Sequence, residues 1–222
     1  LKMDTNDAII YRVRMLKKRH DELVERCKLQ DMEIRAGEVL LKYPHSEDIY
    51  DSIRSLYAYE DKTYSVLIPS RLEEIIKEGE QLHHCVGCSE RYWDRIERRE
   101  SYVLFLRHTS EPDKPYYTLE VEPDGTVRQK RTMYDRQEPD IELAKKFLRQ
   151  WQRVVSTRLT ATERKLAVVS QELRMQEFEE LKREKVIIRT GDFHGRSLLD
   201  LLTEDLMENT NVVAEPVLAA AA

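Results

Sequence analysis

The sequence predicts an α+β fold: an antiparallel meander of about four strands with flanking helices, plus N- and C-terminal helical arms. Two observations predict it. Short β-branched and aromatic runs follow one another between residues 63 and 131. Longer segments with an apolar residue at every third or fourth position precede and follow them. We divide the chain into an N-terminal helical region (1–58), a core domain (59–158) and a C-terminal helical extension (159–222).

The helical elements are predicted from the 3.6-residue period and from their flanking residues. The first helix is expected to run from Asp4 to about Leu41, and a short one to follow Ser46. The helix expected from Ser89 to about Arg99 should expose the side chains of Arg91 and Arg95. The predicted later helices cover about 72–79, 89–99, 141–159, 162–185 and 198–207, with a short strand at 186–188.

The strands are predicted at 63–68, 101–107, 115–121 and 126–131. Pro123-Asp124-Gly125 supplies the turn of a hairpin between the last two. Strict alternation along the returning strand would place Val127 and Gln129 on one face, and Arg128 and Lys130 on the other.

Charge limits the classes of partner. Charged residues make up 36% of the 222 residues and the net charge is −5, with both signs interspersed. Bulk charge therefore argues against nucleic-acid binding, which would need a local basic patch. Such a patch is present in the first helix as Arg14, Lys17, Lys18 and Arg19. It predicts either a solvated helix face or a contact with nucleic acid or an acidic partner.

The expected location is the cytoplasm. No apolar run approaches the about 18 residues of a membrane helix, so no membrane insertion is expected. The first residues lack the pattern of a signal peptide, and a start at Leu1 suggests a fragment of a longer protein. Three cysteines give an odd count that suits a reducing compartment. The helical arms allow a homo-oligomer.

The densest group of reactive side chains is the segment Leu82–Cys88. It holds two of the six histidines and two of the three cysteines. Cys85 is a candidate nucleophile, because a helix expected to begin near Ser89 could lower its pKa, with His84 beside it and Glu120 on the hairpin as a partner. The alternative is a small side chain packed in a tight turn.

A metal site at the same segment is a second possibility. His83, His84, Cys85 and Cys88 are ligand types that zinc prefers. Four ligands so close along the chain would strain tetrahedral geometry, and a second cysteine pair at the usual spacing is absent. We therefore expect no metal and no cofactor.

A second polar group follows on the hairpin. Gln129, Lys130 and Arg131 carry donors that can bind a phosphate, a carboxylate or a base edge, and His83 could join them. If the strand ends converge, this group would face His84 and Cys85 across a cleft. The alternative is an ordinary polar edge strand.

Residues from about Tyr59 to Trp151 resemble the PcfJ-like protein family. The resemblance rests on short segments in the same order, of which Leu82-His83-His84-Cys85-Val86-Gly87 is the most specific. The others are Tyr59-Glu60-Asp61, Ile68-Pro69-Ser70, Glu78-Gly79, Ser101-Tyr102, Phe105-Leu106-Arg107, residues 115–121 and Gln129-Lys130-Arg131.

The resemblance implies a role on a mobile genetic element such as a conjugative plasmid, as an accessory to DNA processing or transfer through a protein or nucleic-acid partner. It implies no particular reaction. This chain departs from the family pattern at Cys88, where a small residue is usual, and over residues 132–135, where Gly and Asn usually follow. Two functions are thus open: an interaction protein, or an enzyme that uses His84 and Cys85 with support from Gln129 and Arg131.

Overall fold

The core of the molecule is a five-stranded antiparallel meander. The computed structural model describes the backbone of residues 13–189 and 193–209, and the side chains of residues 24, 26–189 and 193–206. The predicted α+β meander is confirmed, with one strand more than expected, because a two-residue strand is too short to leave a pattern. In the order of the sheet the strands are β1 (Tyr59–Glu60), β2 (Tyr64–Leu67), β3 (Tyr102–His108), β4 (Tyr117–Val121) and β5 (Val127–Arg131).

Helices precede, interrupt and follow the sheet. Within the described residues they are α1 (Val13–Lys42), α2 (Ser46–Tyr57), α3 (Leu72–Leu82), α4 (Glu90–Glu97), α5 (Ile141–Arg158), α6 (Ala161–Glu184) and α7 (Leu198–Asn209). These agree with the predicted helices, although residues 4–12 of the first one lie outside the described residues. The predicted strand at 186–188 is reduced to one bridge between Ile187 and Ser197. No described helix is both long enough and apolar enough to cross a membrane.

One face of the sheet is apolar. Leu104 on β3 pairs with Leu119 on β4, so their side chains share a face, and both are fully buried. Helices α2 and α5 cover this face. Trp151 of α5 is fully buried and donates its indole N–H to the carbonyl oxygen of Tyr57 at 2.7 Å. The Tyr57 ring lies 5.7 Å from that of Tyr102. This face therefore forms the hydrophobic core.

The opposite face of the sheet is polar although it is also buried. Thr118 and Glu120 lie there on β4, and both side chains are buried. Partners come from α3 (Glu78), from the segment after α3 (His84) and from α4 (Arg95). The alternation of side chains along β4 thus separates a core face from a face that carries the candidate site.

A β-bulge changes the predicted faces of β5. Glu120 pairs with Gln129, whereas its neighbour Val121 pairs with Val127, so Arg128 is an extra residue in β5. Val127 consequently packs in the core while Gln129 faces the polar side. The prediction that Val127 and Gln129 share a face is wrong, since it assumed unbroken alternation.

Candidate functional site

The family-like segment after α3 is a compact turn whose glycine is required by close backbone packing. Helix α3 ends at Leu82, and His83 adopts a left-handed conformation with φ of 53°. A 3-10 turn over Cys85–Gly87 follows and folds back onto α3. A Cβ on Gly87 would lie 2.6 Å from the Cα of Ile76, so no larger residue fits without backbone movement. The turn thereby fixes the direction in which His84 points.

His84 points inward, onto the polar face of the sheet. Its side chain is 8% exposed, and its Nε2 lies 2.9 Å from Oγ1 of Thr118. The Thr118 hydroxyl lies 3.0 Å from Oε1 of Glu78. Arg107 donates to both oxygens of Glu78, to Oε1 at 3.0 Å. Arg107, Glu78, Thr118 and His84 therefore form a continuous buried chain of hydrogen bonds.

The donors and acceptors along these hydrogen bonds place a proton on Nε2 of His84. The Glu78 carboxylate is paired with Arg107 and can only accept, so the single Thr118 proton is donated to it. Thr118 Oγ1 then accepts from His84, which places the imidazole proton on Nε2 and leaves a lone pair on Nδ1. Burial lowers the pKa of His84, and the negative charges of Asp135 and Glu78 offset only part of that effect. Nδ1 is buried and has no hydrogen-bond partner among the described residues.

His84 lines a small cavity on the polar face. Gln129 and Arg131 of β5 also line it, together with Glu120 and Asp135. Its volume is about 20 Å³, and because a water needs roughly 10–15 Å³ of such space, the cavity has room for about one water. Gln129, Arg131 and His84 thus line one cavity, although the binding roles assigned to Gln129 and Arg131 stay predictions.

Glu120 is held by donors on both oxygens. Arg95 and Ser101 each donate to Oε1 at 2.7 Å, and Gln129 donates to Oε2 at 3.0 Å. Burial would raise the pKa of Glu120, but the guanidinium groups of Arg95 and Arg128 outweigh it and the pKa lies below its ordinary value. Glu120 is therefore an ionised anchor that orients Gln129 and Arg95. Arg95 was expected on an exposed helix face, but it is buried.

The side chain of Cys85 does not line the cavity that His84 lines. The residue is exposed instead. Partial desolvation raises the pKa of the Cys85 thiol, and the Asp135 carboxylate adds to the rise. The expected lowering of this pKa is therefore wrong, because desolvation disfavours the thiolate.

Two of the predicted anion-binding residues also lie elsewhere. His83 is exposed and stacks on Tyr134, with ring centroids 5.1 Å apart. Lys130 pairs with Leu119, so its buried side chain belongs to the core side of the sheet. Within the described part of the chain, no group of three or more His, Cys, Asp and Glu residues could hold a metal ion. The basic run Arg14, Lys17, Lys18 and Arg19 lies in α1, and its side chains are outside the described residues.

Carboxylates from the C-terminal helices cover the β5 side of the polar face. Asp205 of α7 accepts from both terminal nitrogens of Arg131, with Nη1 to Oδ1 at 3.0 Å. Glu177 of α6 pairs with Arg91 and, at 2.5 Å, with Arg95. Sequence reasoning missed these contacts because nothing in the pattern marks an acidic residue that reaches across 74 positions.

Comparison with known proteins identifies a matching family and a distant relative. The family described as PcfJ-like protein matches residues 2–144. A protein of Listeria innocua named "Uncharacterized protein Lin1253/Lin1744" is 26% identical over 112 residues, which are 50% of this chain and 22% of that protein. The aligned part thus spans less than a quarter of that relative. No solved structure matches the chain significantly.

Proposed function

Because the chain belongs to the PcfJ-like protein family, we propose that it is an accessory protein of a mobile genetic element that binds nucleic acid during DNA processing or transfer. One observation carries the proposal. The polar family residues His84, Gln129 and Arg131 meet at one cavity. The Arg131 guanidinium binds the Asp205 carboxylate through two hydrogen bonds, and the same geometry suits a phosphate.

The basic run of α1 supplies a second anion-binding element in the proposal. Arg14, Lys17, Lys18 and Arg19 give a local positive charge to an otherwise acidic protein. Contacts of this kind position a protein on the phosphate backbone without reading sequence. We propose that the protein acts in the cytoplasm and that its helical arms allow self-association.

The test is DNA binding measured by fluorescence anisotropy over a series of salt concentrations. Phosphate contacts make affinity fall as salt rises, and each lost contact reduces the slope of log affinity against log salt by about 0.7–0.9. Lys17→Glu/Lys18→Glu/Arg19→Glu should therefore weaken binding and flatten the slope by about 2–3. The matched control is Lys165→Glu/Lys182→Glu/Arg183→Glu, which reverses three exposed charges of α6.

The control triple should bind DNA close to the wild-type affinity. Absence of binding, salt-independent binding or equal weakening by both triples would contradict the nucleic-acid proposal. If no DNA binding is detected, the remaining form of the proposal is an interaction with a protein partner.

A second candidate function is an enzyme in which His84 acts as a base, with Gln129 and Arg131 orienting an anionic substrate. The buried lone pair on Nδ1 of His84 favours it, because a fixed tautomer beside an arginine suits proton transfer. The raised pKa of Cys85 does not support the version in which that thiol is the nucleophile. The reactivity of the Cys85 thiol separates that version from the others.

A further inference from the structure

We infer that Arg131, Gln129 and His84 form a binding site for a phosphate group, and that Asp205 of α7 occupies the arginine end of this site as an internal substitute. The inference deepens the proposed function, and rests on it only for the assignment of the phosphate to a nucleic acid. Three structural observations support the site itself.

The first observation is the bidentate ion pair between Arg131 and Asp205. Two parallel N–H···O bonds join the guanidinium to the carboxylate, and both side chains are more than 90% buried. This planar geometry suits a phosphate as well as a carboxylate. An anion that displaces Asp205 can therefore satisfy Arg131 without leaving it uncompensated.

The second observation is the unpaired Nδ1 atom of His84. Nδ1 is buried, unpaired among the described residues, and belongs to a residue that lines the same cavity as Arg131. A buried acceptor without a partner is costly and calls for a ligand or a water. A phosphate monoester that carries one proton provides the donor for Nδ1 and anionic oxygens for Arg131 and Gln129.

The third observation is that the site is too small for a phosphate in this conformation. The cavity of about 20 Å³ holds about one water, which is too little for a phosphate, and Asp205 occupies the guanidinium fork of Arg131. Glu177 of α6 covers Arg91 and Arg95 in the same way. Helices α6 and α7 thus place carboxylates where an anionic ligand would lie, and binding requires α7 to move away from β5.

The experiment is calorimetric titration of inorganic phosphate into the full chain and its Asp205→Asn variant, with chloride of equal ionic strength as the blank. Removing the internal competitor should tighten phosphate binding at least about tenfold, because the open state becomes more populated. Glu204→Gln is the matched control: it removes an exposed carboxylate of α7 that pairs with Arg196. It should leave phosphate affinity at the wild-type value.

Adding Arg131→Gln to Asp205→Asn should abolish the gain. If Asp205→Asn unfolds in the absence of ligand, phosphate should restore its circular dichroism spectrum and raise its Tm. Asp205→Asn binding phosphate no more tightly than wild type, or a gain that persists without Arg131, would overturn the inference. Failure of phosphate to refold an unfolded variant would also overturn it.

A further arm separates this inference from the proposed function. An oligonucleotide with a 5′-phosphate should bind Asp205→Asn more tightly than the same oligonucleotide with a 5′-hydroxyl. Gains for inorganic phosphate but none for either oligonucleotide would support the site and contradict the nucleic-acid function. Salt-dependent DNA binding that Asp205→Asn leaves unchanged, without phosphate binding, would do the reverse.

Discussion

Both faces of the sheet carry buried side chains, but one face is mainly apolar and the other is rich in charged and polar groups. On the core face, Leu104, Leu119 and Trp151 are fully buried among apolar neighbours. On the other face, Glu78, Arg107 and Glu120 are buried in a network of ion pairs and hydrogen bonds. Burial alone therefore does not distinguish a structural surface from a functional one.

The difference between the faces is what each contributes to folding. Burying a large apolar side chain stabilises a protein by roughly 1.5–3 kcal/mol. A buried ion pair contributes little relative to apolar residues of the same shape, because desolvation of the charges offsets their attraction. The proposed binding site lies on this polar face, and the following predictions compare the two faces.

Removing one member of a buried ion pair should have the largest effect. Glu78→Leu leaves Arg107 buried without its carboxylate and should lower the free energy of unfolding by about 3–5 kcal/mol in urea denaturation. Glu78→Leu/Arg107→Met should recover to within about 2 kcal/mol of wild type. Leu119→Ala on the core face should cost about 2–5 kcal/mol with no such partner rescue. A double variant as unstable as Glu78→Leu would show that the charges are needed for folding.

Gly87→Ala tests the turn that directs His84 at the polar face. The added methyl would meet the backbone of α3 at 2.6 Å, so the free energy of unfolding should fall by about 1–3 kcal/mol. Gly37→Ala is the control, since nothing lies within 4 Å of its added methyl. Similar urea midpoints for Gly87→Ala and wild type would mean that the turn is looser than the structure indicates.

The pH dependence of stability reports on His84. Its pKa in the folded state is lowered, so stability is unaffected well above the ordinary value of 6.5 and falls as the pH drops below it. The decline from this residue should be at most about 1.4 kcal/mol per pH unit. His84→Leu should flatten the decline measured between pH 7.5 and 5, whereas His45→Leu, an exposed histidine, should leave it unchanged. Equal slopes for wild type and His84→Leu would contradict the buried neutral ring.

Thiol labelling should show the smallest effect and separates recognition from cysteine catalysis. The raised pKa of Cys85 leaves less thiolate at neutral pH, so it should react with iodoacetamide no faster than exposed Cys27. Single-cysteine variants, with the other two cysteines changed to serine, allow each rate to be measured alone. Faster labelling of Cys85 than of Cys27 at pH 7 would favour the enzyme.

The order of the elements could be predicted from the sequence, but the pairing details could not. Strands such as Tyr102–His108 are dense in β-branched and aromatic residues, and local pattern suffices for them. The bulge at Arg128 depends on a partner strand, and the two residues of β1 carry no period. Both are consequences of tertiary pairing.

The candidate site could be predicted only in part. The proximity of His84, Gln129 and Arg131 was expected from the position of the hairpin, and the structure brings them to one cavity. The buried charges were not expected, because Glu78 and Arg95 look in sequence like any exposed helix residue. The reach of Asp205 to Arg131 is a long-range contact without a local signature.

The claim that the polar face carries a binding site can be tested by DNA affinity in the Asp205→Asn background with and without His84→Leu. Thr118 can still donate to Glu78 when leucine replaces His84, so the change leaves that hydrogen bond intact. We predict that affinity for a 5′-phosphorylated oligonucleotide falls at least about tenfold, which is about 1.4 kcal/mol, while the free energy of unfolding stays equal or rises. Unchanged affinity together with a lower free energy of unfolding would contradict the claim.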